Sequence, residues 1–215
     1  MKPPGDPSPE SRPSALLRAI LVLGGVAVLL VGAYRWSVAD NAPAPALADF
    51  GPLPHFELTR ETGAAVADAD LTGRVWIADF IFTRCAGPCP RMSAQMAAVQ
   101  TSLADQPRIA LVTFTVDPEF DTPEVLSDYS RESGADPARW MFLTGHRHDI
   151  YPLALHGFKL AIDADPNDER AIIHSTKFVL VDAARHIRGY YDGTDPADVA
   201  RLTRDAAGLA QAAAR

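Results

Sequence analysis

The chain has 215 residues, 47% of them hydrophobic, and carries 20 Lys and Arg against 27 Asp and Glu, which gives a net charge of −7 at pH 7. This length is enough for one domain of ordinary size plus an appendage. The acidic balance makes nucleic acid a poor partner, because phosphates repel a surface of the same sign.

An apolar segment near the N-terminus predicts a membrane anchor. Residues 19–34 read AILVLGGVAVLLVGAY and contain no charge. With the apolar residues that precede Arg18, the run reaches about 20 residues, which is enough to cross a bilayer if the Arg18 side chain extends to the interface. We therefore expect one transmembrane helix at residues 15–36.

The charges around this span predict its orientation. Three cations precede the uncharged stretch at residues 19–34 and one follows it closely: Lys2, Arg12, Arg18 and Arg35. Because cations are retained on the cytoplasmic side, residues 1–14 should form a cytoplasmic tail, and the chain after residue 36 should be exported. A cleaved signal peptide is the alternative, since Ser37-Val38-Ala39 offers small residues at a cleavage position.

The remaining chain predicts a linker and one domain. Residues 37–49 alternate small residues with Pro and lack apolar periodicity, as expected of a tether before a domain at residues 50–215. Apolar patterns predict strands at residues 53–58, 75–82, 109–116, 140–144, 177–182 and 187–191. The predicted helices contain Met92 to Leu103, run from Pro123 to Glu132 and from Asp149 to Leu155, and open at Pro196. This order predicts an α/β fold with a central sheet and helices on both faces.

The only two cysteines are the main candidates for chemistry. They form Cys85-Ala86-Gly87-Pro88-Cys89, directly after the strand predicted at residues 75–82. If a helix begins at this loop, the spacing places both thiols on one face of its first turn, where the helix dipole favours thiolate. Two thiolates can close a disulfide or hold a soft metal. A structural disulfide is the usual use of cysteines in an exported protein, but so short a bridge restrains little chain.

Four segments between residues 80 and 182 carry a family resemblance. They are Phe82-Thr83-Arg84-Cys85 through Cys89-Pro90, Thr115-Val116-Asp117-Pro118 with Asp121-Thr122-Pro123-Glu124, Phe142-Leu143-Thr144-Gly145, and Ile173-His174-Ser175-Thr176 before Leu180-Val181-Asp182. The order strand, CxxxC, helix, hairpin, helix resembles a thioredoxin-like fold with a central mixed sheet. The segments together resemble the Sco/SenC family of copper chaperones for respiratory oxidases.

The resemblance implies a metal site and a partner. Cys85, Cys89 and His174 would be the three metal ligands, and copper would be delivered to a cytochrome oxidase subunit on the outer face of the membrane. Thiolates suit Cu(I) and imidazole suits Cu(II). The same ligands also suit zinc, so the resemblance, rather than the ligand set, selects copper. Acidic residues ahead of the span do not fit a mitochondrial transit peptide, so we expect a bacterial inner-membrane protein with a periplasmic domain.

Several residues depart from the family pattern or have simpler explanations. Arg84 stands where many members have His, and Ile173 stands where an acid would orient the His174 imidazole. His174 itself could be an incidental histidine. The pair His146 and His148 looks like a metal motif, although a solvated helix start explains it. The helical spacing of Met92 and Met96 indicates core packing rather than metal ligation, and Asp117 and Asp121 are explained by a turn and a helix cap.

Two functions stay open at the sequence level. The first is a metal carrier that does not turn over a substrate, and the alternative is a thiol:disulfide oxidoreductase acting on cysteines of the oxidase subunit or other exported proteins. Oxidoreductases of this fold carry a cis-Pro before the strand that follows the active site in space, where this chain has residues 173–176 without Pro. A peroxidase is excluded because Phe82 stands where Thr or Ser is needed, and a purely structural domain would hold a permanent disulfide.

Overall fold

The structure is a computed structural model that describes residues 23–31, 47–160 and 175–213. The chain divides into two units, Met1–Pro45 and Ala46–Arg215. In the first unit, residues 23–31 are helical. No helix within the described ranges is long and apolar enough to cross a membrane. Most of the span predicted at residues 15–36 lies outside these ranges, so the span stays a prediction.

The second unit alternates strands and helices much as predicted. Its described strands are β1 (Glu57–Arg60), β2 (Ala65–Ala67), β3 (Val75–Ile81), β4 (Ile109–Thr115), β5 (Trp140–Thr144), β6 (Lys177–Val181) and β7 (Ile187–Asp192). Its described helices are α1 (Cys89–Ser102), α2 (Pro123–Glu132), α3 (Arg147–Pro152) and α4 (Pro196–Ala212), with a 3₁₀ turn at Asp68–Leu71 and a π turn at Leu153–Gly157.

Among the predicted strands, the one at residues 53–58 differs most from the structure. The strand begins only at Glu57, because the amide of Leu53 instead donates to the carbonyl of Arg185 at 3.0 Å. From Glu57 the chain pairs with β2, a strand of three residues that has too short a pattern to be recognised in the sequence. The helix predicted at residues 149–155 begins two residues earlier, at Arg147, and after Pro152 it continues as the π turn to Gly157.

The sheet is mixed and buried on both faces, which confirms the predicted architecture. Its strand order is β2-β1-β5-β4-β3-β6-β7, with β3, β4 and β5 parallel to one another and the other pairs antiparallel. All seven residues of β3 and all seven of β4 are buried, as their continuous apolar runs predict. One face packs against α1, α2 and α4, and the other packs against α3 and the π turn.

This topology brings three loops to one edge of the sheet. Because β3, β4 and β5 run parallel, their carboxyl ends lie together. Cys85 follows β3, Asp117 and Asp121 follow β4, and His146 follows β5. We call this edge the cysteine end.

Candidate metal centre

The two cysteines lie in the connection from β3 to α1. After β3 the chain turns, with the amide of Cys85 donating to the carbonyl of Phe82 at 3.1 Å. Helix α1 begins at Cys89, with Pro90 in its first turn. The expectation that both thiols sit in the first helical turn is therefore wrong, because Cys85 belongs to the preceding loop.

The two thiols nevertheless meet. Both cysteines are free, and both are buried, at 8% exposure for Cys85 and 4% for Cys89. Their side chains lie close enough for the Cys85 thiol to raise the pKa of Cys89. They form a small cluster with Ile81, against which Phe82 and Tyr129 pack. The arrangement supplies two adjacent sulfur donors in an apolar environment.

The surroundings oppose thiolate formation at Cys89. Burial raises the pKa of this thiol, and the neighbouring Cys85 thiol and Asp79 raise it further. The expected lowering by the helix N-terminus does not prevail, since desolvation of the charge outweighs the dipole here. A cation that binds the pair must therefore displace a proton from Cys89.

Asp79 is a buried carboxylate that the sequence analysis missed. It lies on β3 with no exposed surface, and its Oδ1 accepts a hydrogen bond from Thr113 Oγ1 at 2.6 Å. Its Oδ2 has no hydrogen-bond partner among the described residues. Burial raises the pKa of Asp79 to about 7, and its charge also raises the pKa of Tyr129. The signal was present, since Asp79 is the one acid in the apolar run VWIADFIF.

A second carboxylate holds the residue before Cys85. Asp117 accepts hydrogen bonds from Arg84 Nε at 3.1 Å and from Arg84 Nη2 at 2.5 Å. The same guanidinium lies 4.2 Å from the ring centroid of Phe120. Arg84 is thus part of the structure around the cysteine loop, bound by Asp117 and stacked on an aromatic ring.

The third predicted ligand, His174, lies outside the described residues. The described chain resumes at Ser175, just before β6. Strand β6 is antiparallel to β3, with Ala78 opposite Val179, so β6 begins near the end of β3. The topology therefore brings the chain next to His174 to the cysteine end. Across residues 23–31, 47–160 and 175–213, no three His, Cys, Asp or Glu side chains are grouped to hold a metal.

The other metal-like residues are not grouped with the cysteines. His146 and His148 are exposed at the start of α3, with rings stacked 5.1 Å apart, and His148 Nε2 lies 3.3 Å from Asp149 Oδ1. Both line a groove of about 1220 Å³ whose lining includes neither cysteine. Met92 and Met96 have no exposed surface and pack in the core, as their spacing predicts.

The fold and the loop together define a class: a thioredoxin-like domain that carries a CxxxC pair at the end of its central strand. Comparison with known proteins narrows the class further. The SCO1/SenC family model matches residues 48–210. The chain belongs to the SCO1/SenC family.

Relatives and solved structures agree with this assignment. The SCO1 protein homolog of Bacillus subtilis is 36% identical over 142 residues, which cover 65% of this chain and 73% of the relative. The structure of BsSco, described as a member of the Sco family of cytochrome c oxidase assembly proteins with a disulfide switch, is 29% identical with a TM-score of 0.67, covering 77% of this chain and 97% of that chain. Bradyrhizobium japonicum ScoI, solved with copper bound, is 23% identical with a TM-score of 0.59, covering 72% and 99%, and its likeness concerns the fold.

Proposed function

We propose that this protein binds copper through Cys85, Cys89 and His174 and delivers it to the copper centre of a respiratory cytochrome oxidase. The observation that carries the proposal is the pair of free, buried thiols that lie in one cluster at the cysteine end. Two adjacent sulfur donors in a dry site suit Cu(I), and an added imidazole would extend the site to Cu(II). Copper is the cargo of such a protein.

The relatives support copper over zinc, which the ligand types alone would also accept. BsSco is described as belonging to a family of oxidase assembly proteins, and B. japonicum ScoI was solved with copper bound. A carrier must release its metal. The protonation that Cys89 favours would assist release, because a proton competes with the metal for the same sulfur.

We further propose the placement of the chain in a bacterial inner membrane. Residues 15–36 would form the single span, with residues 1–14 in the cytoplasm. Residues 37–49 would act as a linker to a periplasmic domain at residues 50–215. The cations before the span support this orientation, and protease added from the outer face of intact spheroplasts should cut the domain. A mature soluble chain starting near residue 40 would instead establish signal-peptide cleavage.

A thiol:disulfide oxidoreductase is the second candidate. The observation that favours it is that the two free thiols lie in one cluster, and the disulfide switch of BsSco fits such a pair. Against rapid exchange, the raised pKa of Cys89 lowers its thiolate fraction, and the thiolate is the attacking species.

The first experiment is a metal titration. The reduced full-length chain in detergent should take up one copper ion, and Cu(II) should produce thiolate-to-metal charge-transfer absorption. Oxidation of the pair, or the double substitution Cys85→Ser and Cys89→Ser, should abolish uptake. The matched control His146→Ala with His148→Ala should bind copper normally. Tight copper binding by the disulfide form would overturn the proposal.

The second experiment separates the two candidates. His174→Ala should severely weaken Cu(II) binding while leaving the cysteines able to cycle through a disulfide. In cells short of copper, this variant should fail to assemble the oxidase, and added copper should restore assembly. If assembly is unaffected by His174→Ala but lost in Cys85→Ser, the protein acts as a thiol reductant and the copper proposal is wrong.

A further inference from the structure

Asp121 is a fully buried carboxylate at the cysteine end. It lies between β4 and α2 and has no exposed surface. Its carboxylate accepts hydrogen bonds from the amide of Thr83 at 3.1 Å, from Thr115 Oγ1 at 2.5 Å and from Thr83 Oγ1. None of its described partners is a cation.

The donor set explains why this position holds an acid. A buried carboxylate is costly unless its oxygens accept enough hydrogen bonds. All three groups that point at Asp121 are donors, and an ionised carboxylate offers only acceptors. An Asn in the same place would turn its NH₂ group toward one of the three groups, and toward a Thr hydroxyl that bond would run in the opposite direction, because a hydroxyl also accepts. Only the carboxylate accepts from all three groups at once.

Two of the three donors belong to Thr83, two residues before Cys85. Asp121 therefore holds both the main chain and the side chain of the cysteine loop at this position. Its own segment is rigid, because the amide of Asp121 donates to the carbonyl of Asp117 at 2.9 Å and the amide of Asp117 donates to Thr115 Oγ1 at 3.0 Å.

The neighbouring contacts extend this attachment. The amide of Val116 donates to the carbonyl of Ile81 at 2.8 Å, which joins the ends of β4 and β3. Asp117 then binds Arg84, the residue next to Cys85. The segment after β4 thus holds each of the two residues before the first cysteine, and it does so through side chains that are themselves buried.

We propose that Asp121 is a positioning residue that holds the Cys85 sulfur in place for both metal uptake and disulfide closure. The inference rests on the proposed function of the cysteine pair. Both uses need tight placement, since a disulfide joins sulfurs about 2 Å apart and a metal site tolerates errors of only about 0.2 Å in ligand distance. Asp121 would not touch the metal but would set where one of its ligands starts.

The test compares two buried carboxylates at opposite ends of the domain. In the reduced full-length chain, Asp121→Asn should weaken Cu(I) retention against a competing chelator by about 10- to 100-fold, the range for partners that orient metal ligands. It should also alter the Cu(II)–thiolate absorption. The control is Asp68→Asn, which removes a carboxylate that is likewise buried and hydrogen-bonded but lies far from the cysteines. This control should leave both copper readouts unchanged.

A copper-free readout keeps the inference separate from the proposed function. In glutathione buffers, the two thiols lose two protons and two electrons as one glutathione disulfide is reduced to two thiols. Asp121→Asn should shift the midpoint of this equilibrium, and Asp68→Asn should not. If the wild type fails to bind copper but the midpoint shifts as expected, the copper function falls and the positioning role stands.

Thr83 supplies a milder pair of variants in case Asp121→Asn does not fold. Thr83→Ser keeps the hydroxyl that donates to Asp121 and should behave as the wild type. Thr83→Val removes that donor at nearly the same volume and should weaken copper retention. The inference would be overturned if Asp121→Asn or Thr83→Val kept both the copper retention and the glutathione midpoint of the wild type. It would also be overturned if Asp68→Asn changed these two quantities as much as Asp121→Asn does.

Discussion

At the end of the sheet where β6 turns into β7, the buried Asp68 and the half-buried Asp182 are paired with cations, whereas at the cysteine end most of the buried carboxylates are not. Asp68 is 4% exposed and contacts the guanidinium of Arg185. Asp182, in the turn itself, accepts a hydrogen bond from Arg188 at 2.9 Å. These pairs fasten loops to one another and leave little charge uncompensated.

At the cysteine end, Asp79 and Asp121 are fully buried, and their described hydrogen-bond donors are all neutral. Asp117 is the exception, since it binds Arg84. The thiol of Cys89 is also held in its neutral form by burial. Burial thus makes ionisation costly at both Asp79 and Cys89, and groups with raised pKa values cluster where a protein does chemistry. The comparison teaches that the ion pairs at one end of the sheet fasten its loops, whereas the cysteine end holds uncompensated buried groups beside the proposed metal site.

The largest expected effect is the loss of copper affinity when a cysteine at the cysteine end is replaced. Cys85→Ser should lower copper affinity by more than about a hundredfold, because losing a ligand should exceed the loss of a residue that only orients one. The free energy of unfolding should change little, since Ser is nearly isosteric with Cys. Chelator competition and urea unfolding followed by tryptophan fluorescence measure the two quantities. A copper affinity close to that of the wild type would contradict the division of roles.

The second prediction concerns pH and Asp79. Its folded pKa of about 7 lies above the ordinary value of 3.8 for an Asp side chain, so the folded state holds the proton more tightly than the unfolded state does. The contribution of Asp79 to the free energy of unfolding is therefore fully present below pH 4. It is lost as the pH rises toward 7, and it stays low above that pH. A pKa difference of about three between the two states corresponds to about 4 kcal/mol in the free energy of unfolding. Asp79→Asn should thus raise the free energy of unfolding at pH 8 much more than at pH 5.

Urea unfolding at both pH values measures this difference. Asp68→Asn provides the matched control, because Asp68 is also buried but faces a cation. That variant should lower stability at pH 8 instead of raising it. A stability gain for Asp79→Asn that does not depend on pH would show that ionisation of Asp79 is not the cause.

The third prediction concerns the opposite end. Arg185→Ala should destabilise the fold by about 3 kcal/mol, because it leaves the buried Asp68 without its guanidinium. Copper affinity should not change, since Arg185 lies at the far end of β3 from Cys85. The same two assays apply. Loss of copper binding in a folded Arg185→Ala variant would argue against independent roles for the two ends.

The smallest expected effect concerns the segment that leads into the domain. Arg188 donates from Nε to the carbonyl of Ala48 at 2.9 Å and from Nη2 to the carbonyl of Leu47 at 2.8 Å, while Nη1 binds Asp182. Arg188→Lys keeps the charge but cannot make all these bonds, so it should cost about 1 kcal/mol. Urea unfolding should detect the loss, and limited proteolysis should then cut near residue 47 more readily. Unchanged proteolysis would contradict the fastening role.

The sequence alone determined the main strands, most helix boundaries and the candidate ligands. Strands β3 and β4 were predictable because a continuous apolar run needs no partner to be recognised. Helix α2 begins at Pro123 as predicted, since the cap residue Thr122 and the Pro are adjacent in the chain. The cysteine pair and the family resemblance were likewise visible in short motifs.

Only the tertiary structure decided what surrounds the cysteines. Asp121 acts on Thr83 across 38 positions of sequence, and burial from several elements sets the pKa of Cys89 against the local helix dipole. The bond from Leu53 to Arg185 likewise displaced the start of β1. Hydrogen bonds between distant residues and the desolvation of a charge depend on what packs nearby, and local sequence patterns do not carry that information.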